Sequence, residues 1–295
     1  MRIIHFAQIV IIAAVFFSFV GCTEKNSKEI PRIGAYSRII STAPSNTEII
    51  ADLGMADKLV AIDRHSANIS GIPEGIVQLD FFYPDAEVII NLKPDIIIAS
   101  GHNATGSGED PFRLLRETGI AVVYISMSKS IDAIYGDISL IADLLQVQEK
   151  GEELIRLMRS QIDEITQKTA HIASPKTVYF EISAAPDMMT FGKDSFINDM
   201  VSAIGARNIF ENEYWLVQPG AETIILKNPD IILTNVNYIE DPIGEIKNRP
   251  GFNHINAVIN NRVYQIDNDS SVRHSTRIIL ALQQMAQAVY PEVYE

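Results

Sequence analysis

The chain has 295 residues, 47% of them hydrophobic, and carries a formal charge of −13 from 37 acidic and 24 basic side chains. That length and apolar content suit one large or two ordinary α/β domains with a substantial core. The acidity argues against a nucleic-acid binder, which needs clustered Lys and Arg to neutralise phosphates.

At the N-terminus, Arg2 precedes an apolar run from Ile9 to Val20, too short to span a membrane comfortably. The run ends in Phe19-Val20-Gly21-Cys22, where small residues before a cysteine resemble a bacterial lipoprotein cleavage box, with Phe19 where Leu is usual. Residues 1–21 therefore read as a lipoprotein signal peptide. Cys22 is the sole cysteine, so no internal disulfide forms, and it is the expected lipidation site. The polar stretch after it, 22–36, reads as a tether.

From Arg38 the pattern turns α/β. A strand at Arg38–Ser41 is followed by Ser45-Asn46-Thr47-Glu48, the spacing of a capping box in which Ser45 caps and Glu48 reaches back. That helix is expected to run to Gly54, and Leu59–Ile62 to form the next strand. Pro84-Asp85 starts a helix with Glu87 in its first turn. Ile96–Ala99 is apolar throughout, as buried parallel strands tend to be. The stretch from Gly101 to Gly108 reads as a mobile loop. Asp110-Pro111 opens a helix with Pro at its favoured first position, and Val122–Ile125 is a strand. These elements form a first α/β lobe, 37–147, closed by a helix over 131–147.

A long amphipathic helix from Glu149 to His171 repeats its apolar residues at helical spacing (Leu154, Ile155, Met158, Ile162, Ile165). It defines a linker over 148–173 and is expected to act as a stiff spine. A second α/β lobe, 174–295, contains strands at Thr177–Ile182 and Val263–Ile266, a helix at Ser195–Ile204 and a closing helix over 276–290. Strands alternating with helices imply parallel sheets covered on both faces.

One phrase occurs in both lobes. Ala86-Glu87-Val88-Ile89-Ile90 leads to Lys93-Pro94-Asp95-Ile96-Ile97-Ile98, and Ala221-Glu222-Thr223-Ile224-Ile225 leads to Asn228-Pro229-Asp230-Ile231-Ile232-Leu233. A supersecondary unit repeated at this distance points to two similar lobes, each with an acid at the start of a helix. Enzymatic signatures are missing. There is no phosphate loop, no dinucleotide fingerprint, no Gly-x-Ser-x-Gly elbow and no His-Glu-x-x-His motif.

With these pieces in order, the chain resembles the substrate-binding lipoproteins of bacterial ABC importers for metal chelates, the class that carries ferric siderophores, haem or vitamin B12. The resemblance rests on Ala43-Pro44-Ser45-Asn46-Thr47-Glu48, the stretch from Glu87 to Asp95, Thr190-Phe191-Gly192-Lys193-Asp194-Ser195, Trp215 through Glu222 and Arg277-Ile278-Ile279-Leu280-Ala281-Leu282. It implies two Rossmann-like lobes joined by one long helix, with the ligand held between them. It also implies that Glu87 and Glu222 meet arginines on the permease dimer, which works with an ATPase. No enzymatic activity is implied and no cofactor of its own. A monomer is expected, anchored through Cys22 at the periplasmic or outer face of the cytoplasmic membrane. The cargo is expected to be a ferric chelate of the siderophore type, with cobalamin or haem as alternatives. A chelatase-like metal enzyme on a related two-lobed fold is the competing reading of another class.

Ligand contacts in open α/β sheets come from loops at the carboxyl ends of strands. The candidates there are Arg64 and His65, then Phe81, Phe82 and Tyr83, then His102 and Asn103. In the second lobe they are Tyr214 and Trp215, then Asn235, Asn237 and Tyr238, and last Asp269, Arg273 and His274. The aromatics suit a flat or greasy chelate, and the arginines suit anionic oxygens. His65, His102 and His274 are candidates to ligate a metal that its chelator leaves open.

Overall fold

The computed structural model describes residues 36–80, 82–105 and 110–294. Cys22, the signal peptide, nearly all of the tether and Phe81 lie outside the described residues. Among the described residues, no helix is long and apolar enough to cross a membrane.

The first lobe runs β1 (Ile39–Ser41), α1 (Pro44–Asp52), β2 (Leu59–Asp63), β3 (Val77–Leu79), α2 (Ala86–Leu92), β4 (Ile96–Ser100), α3 (Gly101–Thr105), α4 (Arg113–Glu117), β5 (Ala121–Ile125) and α5 (Ile131–Leu144). Its strands form a five-stranded parallel sheet in the order β3-β2-β1-β4-β5. The uninterrupted apolar run of β4 is explained by position, because Ile96, Ile97, Ile98 and Ala99 are all fully buried on a strand paired on both sides, with β1 and β5.

The spine is α6 (Gln148–Thr169), 22 residues, or about 33 Å of helix. Gly151 lets it approach α5 closely, since a Cβ there would lie 2.6 Å from the Ala142 methyl carbon. The second lobe follows as β6 (Thr177–Glu181), β7 (Thr190–Phe191), α7 (Phe196–Ala203), β8 (Arg207–Asn208), β9 (Leu216–Val217), α8 (Ala221–Lys227), β10 (Ile231–Thr234), α9 (Pro242–Asn248), α10 (Asn256–Ile259), β11 (Val263–Gln265), α11 (Asn268–Val272), α12 (Ile278–Val289) and α13 (Pro291–Tyr294). Four strands pair in parallel in the order β11-β10-β6-β8, and β7 and β9 form an antiparallel ribbon.

The repeated phrase builds the same object twice. Both α2 and α8 end on a residue in the left-handed region, Lys93 at φ 47° and Asn228 at φ 43°. The chain then turns through Pro-Asp into the next strand. The Asp95 carboxylate accepts from the backbone N–H groups of Ser37 and Arg38 at 2.8 and 2.9 Å. The Asp230 carboxylate accepts from the Thr177 N–H and hydroxyl at 2.9 and 2.8 Å. Each aspartate thus ties the start of its own strand to the start of the neighbouring one, β1 or β6.

One apolar cluster continues from the first lobe through the spine into the second. It includes Ile49 and Ile50 of α1, Ile134 and Ile138 of α5, Met158 and Ile165 of α6, Phe196 and Met200 of α7, and Leu282 and Met285 of α12. Each such side chain contributes about 1.5–3 kcal/mol when fully buried. Wide lobe separation would expose several of them together, so the shared core, more than the helix alone, limits the motion.

Three local expectations are corrected. The capping box is not formed, because Pro44 takes the first helical turn behind Ala43 and no side chain caps α1. Glu48 is buried instead. The helix after Asp110-Pro111 begins only at Arg113, and the Asp110 carboxylate accepts from the Phe112 N–H in a preceding turn. The glycine-rich loop opens as helix α3.

Candidate functional site

The loops at the carboxyl ends of the two parallel sheets carry most of the expected residues. In the first lobe, Asp80 organises the aromatic segment after β3. One carboxylate oxygen accepts from the N–H groups of Phe82 and Tyr83, both at 2.9 Å, and the other takes the Arg64 guanidinium at 2.6 Å. The two N–H groups hold the Asp80 carboxyl below the usual carboxylate range, with Arg64 adding to the effect. Arg64 therefore already has an anionic partner. Phe82 and Tyr83 are left strongly exposed, at 57% and 86%. The Phe82 ring meets the His102 imidazole edge to face, centroids 5.6 Å apart. His65 is exposed on the short turn after β2, where the Asp63 carboxylate accepts its N–H. Asn103 is buried beside Thr42, whose hydroxyl donates to its amide oxygen at 3.2 Å.

In the second lobe, Trp215 sits at φ 55° and exchanges backbone hydrogen bonds with Gly192 and Lys193. Gly192 is required there, since a Cβ would fall 2.2 Å from the Glu213 carbonyl oxygen. This close approach fixes the indole, which packs edge to face on Phe191 at 5.1 Å. Tyr214 beside it is 61% exposed. Tyr238 is also exposed, and its hydroxyl accepts the Ala184 N–H at 2.8 Å.

Lys129, in the loop between β5 and α5, spans from the first lobe to these aromatics. Its ammonium lies 5.2 Å from the Trp215 ring centroid and 5.7 Å from that of Tyr214. No motif in the sequence marks it, because the Tyr214 hydroxyl it reaches is 85 positions away.

Asp269, Arg273 and His274 serve differently from expectation. Arg273 is buried and donates to Glu48 of α1 at 2.6 Å, to Asp269 at 2.8 Å and to the His65 carbonyl at 3.2 Å. Asp269 also accepts from Asn68 at 3.0 Å. The Ser275 hydroxyl donates to Glu48, and that of Thr276 to Asp52. Together these groups join the lobes directly. Burial pushes the Glu48 carboxyl up, and Ser275 and Arg273 pull it part of the way back. His274 packs on Phe196 at 5.0 Å, and burial pushes its imidazole down to about 4, so it is neutral at physiological pH. Asn235 is likewise buried, bonded to Ser271, whereas Asn237 is exposed. Among the described residues, no three His, Cys, Asp or Glu side chains converge as a metal site.

Glu87 and Glu222 occupy equivalent places in the first turns of α2 and α8, and both are exposed. Apolar side chains flank them at the surface, Val88 and Ile90 in one lobe and Leu226, 84% exposed, in the other.

Comparison with known proteins agrees with this architecture. A family model described as periplasmic binding protein matches residues 39–270. YvrC, an uncharacterized ABC transporter substrate-binding lipoprotein of Bacillus subtilis, is 30% identical over 260 residues, covering 88% of this chain and 81% of that one. The vitamin B12-binding protein of Vibrio cholerae is 28% identical over 84% of this chain and 87% of its own length. The crystal structure of a possible iron-binding, periplasmic solute-binding protein from Staphylococcus epidermidis superposes with a TM-score of 0.78 at 32% identity, over 87% of this chain and all of that one. These relatives are binding proteins and not enzymes, which sets aside the chelatase-like reading.

Proposed function

We propose, since this chain belongs to the periplasmic binding protein family, that it captures an iron chelate of the siderophore type between its lobes and delivers it to an ABC permease dimer driven by an ATPase. The observation that carries this is that each lobe presents aromatic side chains, Phe82 against His102 in the first and Trp215 against Phe191 beside exposed Tyr214 in the second, with Lys129 of the first lobe reaching over the Tyr214 and Trp215 rings. Large rigid rings contribute apolar contact at small ordering cost, which suits a flat or greasy complex. The Staphylococcus epidermidis relative, titled a possible iron-binding protein, supports iron as the metal. Cobalamin is the second reading, favoured by the length over which the Vibrio cholerae vitamin B12-binding protein aligns.

In this account Cys22 carries the lipid, and the tether lets the lobes reach the permease. Glu87 and Glu222 pair with basic residues there, for which a carboxylate offers bidentate geometry. Isothermal titration of the mature protein against ferric siderophores, haemin and cobalamin tests the proposal. A ferric siderophore binding at a 1:1 ratio is the expected result; binding of cobalamin or haemin alone would replace the siderophore reading, and heat from none of them would refute chelate capture.

A further inference from the structure

The groups around Lys129 place its charge with more care than a surface lysine receives. On one side, the Ser128 hydroxyl donates to the Asp137 carboxylate at 2.5 Å, and Ser128 is 3% exposed. On the other, Ser130 caps α5 by accepting the Ala133 N–H at 3.0 Å. The next residue, Ile131, donates its N–H to Asp199 of α7 in the opposite lobe at 3.1 Å. With both neighbours pinned, the Lys129 side chain projects over Tyr214 and Trp215.

Its surroundings differ from those of Arg64, Arg116, Arg249 and Arg273, each of which has a carboxylate within ion-pair distance in a chain of net charge −13. Among the described residues, no carboxylate pairs with Lys129. Its ammonium rests on two aromatic faces, an attraction of about 0.5–1 kcal/mol at an exposed site. That is less than a charge-assisted bond to an anionic oxygen, about 1.5–3 kcal/mol. An incoming anion would therefore recruit the ammonium from the rings, while the rings remain to pack against the rest of the cargo.

The geometry points to Lys129 as the residue through which the cleft selects cargo bearing an anionic oxygen, a carboxylate, catecholate or phosphate, at the edge facing Tyr214 and Trp215. This rests on the proposed function, since it names the chemistry of the cargo for that same cleft.

The test compares wild type with Lys129→Gln and Lys129→Arg, each checked for an unchanged melting temperature. The probes are haemin for carboxylate, a ferric tris-catecholate, cyanocobalamin for phosphodiester and an uncharged ferric trihydroxamate as the neutral control. For whichever anionic probe binds wild type, Lys129→Gln is expected to weaken affinity roughly ten-fold or more. Lys129→Arg should stay within about three-fold of wild type, because it keeps the charge. Equal affinity of wild type and Lys129→Gln for that probe, or a wild-type preference for the neutral trihydroxamate, overturns the role of Lys129 while leaving chelate binding standing. Binding of no probe by wild type removes both.

Discussion

The Arg273 guanidinium lies 2.6 Å from the Glu48 carboxylate, and the two buried side chains come from opposite lobes, 225 positions apart in the chain. Arg273 was expected at the ligand and is found holding the lobes together. Removing one partner of a buried pair leaves the other charge uncompensated, which costs roughly 3–5 kcal/mol. Arg273→Ala is therefore expected to lower unfolding stability by about 3 kcal/mol, read as a shift of the urea midpoint. An unchanged midpoint would mean that the pair does not support the folded chain.

Glu87 and Glu222 are exposed, and among the described residues neither carboxylate makes an ion pair. Truncating them should cost little stability. Glu87→Ala combined with Glu222→Ala is expected to leave chelate affinity unchanged and to abolish uptake in cells that depend on this protein. Normal uptake by the double variant would disprove the docking assignment.

The aspartates of the repeated phrase predict the opposite pattern. Asp95 and Asp230 accept backbone N–H groups that bind strand starts together. Asp95→Ala is expected to destabilise the fold by about 1–2 kcal/mol without affecting docking. The Ser37 N–H holds the Asp95 carboxyl below its ordinary range. A carboxylate depressed in the folded state contributes stability that is present above its unfolded value and lost as pH falls through the folded one. The difference between wild type and variant, followed by thermal melting, should thus shrink as the solution is acidified below about pH 4.

Asp137 behaves in reverse. Burial raises its carboxyl to about 6, with the Ser128 hydroxyl only partly opposing the shift. A group raised in the folded state favours folding at low pH, and that contribution is lost as pH rises through about 6. Asp137→Asn keeps a partner for Ser128 without the buried charge. It should raise stability by about 1 kcal/mol at pH 7.5, after allowance for solvent screening, and the gain should vanish near pH 4. A gain independent of pH would contradict the assignment.

Much of the architecture was legible because it is written locally. The apolar run of Ile96–Ala99 and the duplicated Pro-Asp turns required only short-range pattern, and they reappear as β4 and as the two strand ties. Glu48 misled because its spacing from Ser45 matches a capping box, whereas Pro44 occupies the helix start and leaves Glu48 for Arg273. The site was less legible than the fold. His274 follows the last strand as a ligand residue would, yet it packs on Phe196. Lys129 carries no motif, and its position over Trp215 depends on how the lobes meet. Pairings of this kind are set by tertiary geometry, which short spacings do not encode.

The most direct test of chelate capture between the lobes is the fluorescence of Trp215, the single tryptophan of the chain. Its ring packs on Phe191 of its own lobe and lies 5.2 Å from the Lys129 ammonium of the other, so the signal reports that place alone. Titration of the mature protein with ferric siderophores, haemin and cobalamin is expected to give quenching that saturates at a 1:1 ratio for one class. No change in Trp215 emission with any of them would contradict capture at this site.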